Sequence, residues 1–151
     1  MPVHVIRAGM PVSPGVFIIP GDHDLTLSNG VFEIQSRSKY LGWPNVITLF
    51  LNSVAREWHG TAVAVILSGM DRDGTAALRE FRAQGGITIA QQLTTAARPD
   101  MPSNAIAGGW VDLILSPEAI GDELNRIAQA DLRKEEKRRQ RGDGSLNLPG
   151  A

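Results

Sequence analysis

Between residues 62 and 128 the chain alternates short, nearly unbroken apolar runs with stretches of helical signal, and no other feature narrows its fold as much. Ala62-Val-Ala-Val-Ile-Leu67, Ile87-Thr-Ile-Ala90 and Val111-Asp-Leu-Ile-Leu115 lack the regular apolar–polar alternation of a sheet wetted on one side. Strands of that kind are buried on both faces, which means a parallel sheet covered by helices. Of the intervening segments, Thr75–Gln84 sets Ala77, Leu78 and Phe81 on one side and stops at Gly85-Gly86, while Met101–Ala107 reads as a short helix. Ser116-Pro117-Glu118 then opens a helix with a capping hydroxyl, a proline in the first position and an acid in the first turn. Its apolar face, Ile120, Leu124, Ile127 and Ala128, predicts an end near residue 128. Strand, helix, strand, helix, strand, helix with right-handed crossovers gives an α/β fold. The expected architecture is three-layer and Rossmann-like, a mostly parallel sheet with helices on both faces.

The front of the chain has a different character. Gly15–Pro20, Leu25–Ser28 and Val31–Gln35 carry strand signals, and Ser28-Asn29-Gly30 between the last two predicts a β-hairpin near the N-terminus. Residues 36–45 are loop-like. Ile47, Phe50, Leu51, Val54 and Trp58 recur at helical spacing. Residues 1–130 hold nine Lys and Arg against twelve Asp and Glu, a net charge of −3, whereas 131–142 hold six basic residues against three acids. The predicted organisation is therefore an α/β domain over 1–130 and a basic, flexible tail over 131–151. Acids interleave with the tail's bases and no aromatic accompanies them, so no nucleic-acid partner is expected. No apolar run reaches the ~18 residues of a membrane span, and residues 1–20 lack the apolar stretch of a signal peptide. No membrane insertion and a cytoplasmic location follow as expectations. The absence of cysteine removes disulfides, thiolate zinc sites and a cysteine nucleophile, and with three histidines in all, no metal or cofactor is expected.

In parallel sheets ligands gather at the carboxyl ends of the strands. The segment leaving the first buried run, Leu67-Ser-Gly-Met-Asp-Arg-Asp-Gly74, is accordingly the most informative. A calcium loop counted from Gly69 lacks the carboxylate of its first position and the helix that should precede it. A nucleophile elbow on Ser68 needs glycine at position 66, which is isoleucine. Two readings stay open: a structural turn in which aspartate caps a helix, and Asp73 as the acid of a Ser-His-Asp triad, holding an imidazole in its useful tautomer. Pro99-Asp100-Met101-Pro102 suggests a phosphoacceptor receiver domain, but no acidic pair follows a first strand and lysine occurs only at 39, 134 and 137.

Leu67-Ser-Gly-Met70, Asp73-Gly74, Gly85-Gly86, Ala90-Gln91, Met101-Pro102, Ala105-Ile106, Gly109 and Val111-Asp112, with Pro14-Gly15-Val-Phe-Ile-Ile-Pro20-Gly21 and His23 ahead of them, resemble the chemotaxis protein-glutamate methylesterase family over roughly residues 9–128. The resemblance implies a serine esterase of signal transduction, linked to a phosphorelay, that hydrolyses glutamyl methyl esters on methyl-accepting chemotaxis receptors without metal or cofactor. It makes Asp73 the triad acid and puts Met70 and Gly69 in the active-site lining. Asp71 stands where the family has glycine, and Thr48 where it has aspartate. The family's Ser-x-Gly-Gly nucleophile turn occurs nowhere in these 151 residues, and His4, His23 and His59 do not fall at its triad histidine. Whether the chain is an enzyme is thus open at this stage. The resemblance implies a partial domain, inactive alone, that works with an upstream methylesterase segment or a receiver domain. The alternative is a non-catalytic interaction module or truncated product. Missing opening strands would expose a sheet edge and lead to self-association.

Overall fold

A computed structural model describes residues 1–38 and 44–141. Half of the loop expected over 36–45 and the part of the expected tail beyond residue 141 therefore fall outside the described residues. In chain order come β1 (Val3–Val5), β2 (Met10–Pro11), β3 (Val16–Ile18), β4 (His23–Ser28), β5 (Val31–Ser36), α1 (Val46–Glu57) and β6 (Val63–Ile66). They are followed by α2 (Leu78–Ala83), β7 (Ile87–Gln91), α3 (Asp100–Ala107), β8 (Leu113–Leu115) and α4 (Pro117–Gln140).

The three apolar runs form one parallel sheet in the order β6-β7-β8, with Ile66 opposite Ala90 and Ala90 opposite Ile114. Helices cover both faces. Ala64 and Ile66 pack with Leu51, Ala55, Leu78, Phe81 and Ala105 of α1, α2 and α3, while α4 crosses against β7 and β8 and buries Ile120 and Ile127. Ser28-Asn29-Gly30-Val31 closes an antiparallel hairpin with Ser28 paired to Val31. Asn29 and Gly30 adopt φ of 50° and 75°, as a two-residue loop matched to strand twist requires.

Helix α1 joins the two halves. Leu51 and Ala55 enter the core under the parallel sheet, and Phe50, Val54 and Trp58 pack on Leu25, Leu27 and Phe32 of the hairpin. Ser53, buried in this seam, accepts the Leu27 N–H at 2.8 Å and donates to Phe50 O at 2.7 Å. A buried hydroxyl satisfied on both sides ties the edge of β4 to the helix.

Four boundaries depart from the sequence reading, each for a physical reason. β8 begins at Leu113 rather than Val111, because the Asp112 carboxylate takes the Thr88 N–H at 2.9 Å. The helix expected over 75–84 opens as a tight 3-10 turn at Thr75–Ala77, following Gly74 at φ 90°. Helix α4 runs twelve residues past the end of its apolar face, from 128 to Gln140. That extension consists mostly of good helix formers, and Lys137, Arg138 and Arg139 in its last turn suit the negative end of the dipole. Finally, β1 and β2, too short and too close to prolines to signal themselves, are strands: β1 pairs in parallel with β3, and β2 pairs with β5.

Candidate active site

The loop from β6 to the 3-10 turn leaves the carboxyl end of the sheet and is stitched on both sides. Gln91, only 6% exposed, accepts the Ser68 N–H at 2.9 Å through Oε1 and donates through Nε2 to Thr95 O at 3.0 Å. Ser68 Oγ accepts the Arg98 N–H at 2.9 Å. Gly69 donates its N–H to Arg98 O at 2.9 Å, and its carbonyl accepts the Met101 N–H at 3.0 Å. A Cβ on Gly69 would fall on Met101 Sδ, so any side chain here would push the Met101 side chain of α3 aside. Met70, next along, is 73% exposed and projects from the rim.

Asp73 turns the other way, toward α1. Its Oδ2 accepts the Ile47 N–H at 2.8 Å and its Oδ1 the Thr48 N–H at 2.9 Å. These are orphan donors in the first turn of a helix whose own capping residue, Asn45, makes no side-chain cap bond. In return, Thr48 Oγ1 accepts the Gly74 N–H at 2.8 Å. The result is a reciprocal cap between residues about 25 positions apart, and the carboxylate sits at the positive end of the α1 dipole. Asp71 serves the same carboxylate from within the loop. Its Oδ1 accepts the Asp73 N–H at 2.8 Å, closing an Asx turn that orients Asp73.

The sequence-predicted residues Gly69, Met70 and Asp73 thus share one loop, with Gly69 held under α3, Met70 at the rim and Asp73 under α1. Thr48 and Gln91 are the supporting residues whose role the sequence did not disclose. Thr48 stood out only as a departure from the family pattern, and Gln91 only as part of Ala90-Gln91. None of the three histidines bonds Asp73. His4 stacks on Phe17 at 5.5 Å, and His23 Nδ1 lies 2.6 Å from Gly21 O. Among the described residues no three His, Asp or Glu side chains are grouped as metal ligands, and no helix is long and apolar enough to cross a membrane.

Beside this loop, β6 pairs only with β7 among the described residues, so its outer edge is unpaired. Exposed Leu67 continues that edge. Val3, Val5, Val16 and Ile18 form a second exposed apolar surface on the β1/β3 pair, with Val3 opposite Val16 and Val5 opposite Ile18.

A model of the CheB methylesterase family matches residues 1–124. The chain belongs to that family. The crystal structure of the Thermotoga maritima CheB methylesterase catalytic domain superposes with a TM-score of 0.71 at 30% identity, covering 81% of this chain and 67% of that one. A protein-glutamate methylesterase/protein-glutamine glutaminase of Pseudomonas aeruginosa is 36% identical over 129 residues, covering 84% of this chain and 38% of that protein. One from Anaeromyxobacter dehalogenans is 38% identical over 128 residues, covering 82% and 37% respectively. The chain spans a little over a third of the length of these curated relatives.

Proposed function

We propose that this member of the CheB methylesterase family carries the acid side of a protein-glutamate methylesterase site. Its substrates are glutamyl methyl esters of methyl-accepting chemotaxis receptors, met in the cytoplasm, and Asp73 is the triad acid. The observation that carries the reading is the Asp73 carboxylate, fixed by the Ile47 and Thr48 N–H groups beyond the carboxyl end of β6, whose outer edge is unpaired among the described residues. Each oxygen accepts one backbone N–H and keeps a lone pair for an imidazole N–H. Gly69 and Met70 line the site.

The serine and histidine come from a further methylesterase segment seated along β6. Serine attacks the ester carbonyl, and histidine takes its proton and passes it to the departing methanol. Water then releases the glutamate carboxylate by the same route. Asp73 holds the imidazole in its working tautomer and stabilises its protonated form, and backbone N–H groups receive the oxyanion. The relatives' glutaminase activity would use the same acyl chemistry with ammonia as the leaving group.

The test is methanol release from methylated receptor. The chain alone is expected to give background release, because triad members act as a unit. Joined to or mixed with the family's Ser-x-Gly-Gly segment, it is expected to gain activity that Asp73→Asn abolishes. Robust release by the 151 residues alone, or a fully active Asp73→Asn pair, would refute the proposal.

A second reading has its own support. Asp73 caps α1 through both carboxylate oxygens, and no Ser-x-Gly-Gly is present, as a non-catalytic interaction module would also show. It predicts no methanol release under any complementation.

A further inference from the structure

The geometry points to a second interaction surface, at the opposite end of the molecule from Asp73, that docks a short acidic polypeptide segment. Helix α4 starts two residues beyond the carboxyl end of β8 and runs back across the sheet. It reaches the sheet's amino-terminal edge where Thr61 Oγ1 donates to Asp131 Oδ1 at 2.7 Å, two residues before β6 begins. From Leu132 onward every described residue is exposed, so the last turns overhang the domain.

Five of the overhang's six bases share one face, and Arg139 lies on the opposite side with the glutamates. Arg133, Lys134, Lys137, Arg138 and Arg141 follow the spacing i, i+1, i+4, i+5, i+8. At about 100° per residue these positions span an arc of about 140°, and the nine residues 133–141 are about 12 Å long. Glu135, Glu136 and Leu132 lie outside that arc. Among the described residues the one ion pair within this basic set is Lys134 to Asp131 at 4.0 Å, across exposed side chains and so of little energetic weight. Five positive charges therefore converge on one short face, largely uncompensated.

Three polyanions could meet such a face, and the surroundings favour one. A nucleic-acid duplex would extend past the overhang onto residues 1–130, whose net charge is −3, and the overhang has no aromatic on which single-stranded bases could stack. A membrane surface would need apolar residues flanking the basic arc, but Leu132 is on the other side. A run of glutamates or aspartates a few turns long matches both the size and the sign of the face and avoids the acidic body. Helix α4 is about 36 Å long at 1.5 Å per residue, which separates this contact from the loop carrying Asp73. A bound acidic segment would leave the candidate active site open, and could tether a protein substrate while its ester reacts elsewhere.

The test is fluorescence anisotropy of a labelled 15-residue poly-glutamate peptide against the full chain. Binding is expected at low salt and should weaken at least tenfold at tenfold higher salt. Lys137→Glu/Arg138→Glu should weaken it at least tenfold. Arg7→Glu/Arg56→Glu, an equal charge change at exposed sites elsewhere, should leave it within threefold. If the charge-reversal variant loses helical circular dichroism, Lys137→Gln/Arg138→Gln replaces it with the same expectation. The proposal is overturned if the peptide does not bind, or if both charge-reversal pairs weaken binding equally. It is also overturned if a 20-base-pair duplex or vesicles of anionic phospholipid bind more tightly than the peptide at matched ionic strength.

Discussion

Asp73 has two candidate roles, helix cap and triad acid, and two substitutions separate them. Asp73→Asn keeps the size of the side chain but leaves one acceptor oxygen where two backbone donors converge, and turns its amide toward the other N–H. Losing a helix cap costs about 0.5–2 kcal/mol, and a hydrogen bond to a charged group is worth about 1.5–3 kcal/mol net. With one of the two bonds to Ile47 and Thr48 lost, we expect destabilisation of about 2 kcal/mol. In a chain of this length that lowers Tm by about 4–8 °C. Thr48→Val removes the hydroxyl that accepts the Gly74 N–H at 2.8 Å, leaving a partly buried donor unpaired at a cost of about 1–2 kcal/mol. The two variants therefore damage the same joint to similar degrees. Catalysis should tell them apart: in the complemented enzyme Asp73→Asn is expected to cut turnover by up to ~10⁴, while Thr48→Val loses only what its unfolded fraction dictates. Urea unfolding of both variants, with methanol release assayed well below their Tm, gives the comparison. Asp73→Asn melting within about 1 °C of the unsubstituted chain would remove the cap. Equal residual activity of two equally destabilised variants would remove the acid.

Other expectations follow from single contacts. Asp112 feels burial, which raises its pKa, but the Thr88 N–H and hydroxyl and the Arg82 guanidinium at 2.7 Å outweigh it and hold the carboxyl below its ordinary 3.8. In the window between the folded and unfolded pKa the unfolded chain binds more protons, so this contribution is present above about pH 4 and lost as pH falls through the folded pKa. The stability gap between the unsubstituted chain and Asp112→Asn should therefore close on acidification, and a gap that widens below pH 4 in urea titrations would contradict this. Asp71→Gly breaks the Asx turn onto the Asp73 N–H and should cost about 0.5–1.5 kcal/mol; a stabilised variant by thermal melt would contradict it. The unpaired edge of β6 and the apolar β1/β3 face should make the isolated chain self-associate and bind a hydrophobic dye. A dye-negative, monodisperse monomer in sedimentation would count against this.

The parallel sheet was legible because burial on both faces suppresses apolar–polar alternation, so Ala62–Leu67 and Ile87–Ala90 could hardly be surface strands. Asn29-Gly30 was legible for a local reason, since few residue pairs adopt positive φ twice in succession. The length of α4 was not, because beyond residue 128 no core holds the helix; propensity and end charge extend it without a periodic apolar face. Nor was the setting of Asp73. Its partners are backbone N–H groups of Ile47 and Thr48, and a backbone donor has no sequence signature at any distance. The motif could nominate the aspartate, and the structural alternative, aspartate as a helix cap, stayed open beside it. What sequence could not reveal was which helix is capped: α1, which precedes Asp73 in the chain, rather than the one that follows.

That arrangement bears on how the proposed site could be assembled from separate segments. A triad acid must be ionised and fixed in direction before it can orient an imidazole, and both requirements usually fall on the folded site as a whole. Here the direction is set by residues of this chain alone, since the Ile47 and Thr48 N–H groups fix the plane of the carboxylate at the start of α1. The Asx turn from Asp71 and the Thr48–Gly74 bond fix the backbone on either side. An incoming segment would then meet a preorganised anion, and its binding energy need not be spent on ordering this loop. The cost lies on the other side of the interface. Among the described residues the outer edge of β6 is unpaired, so an edge open to a completing segment would also be open to a second copy of this chain. Complementation and self-association should therefore compete, and activity in the mixed system should fall when the isolated chain is incubated at high concentration before its partner is added.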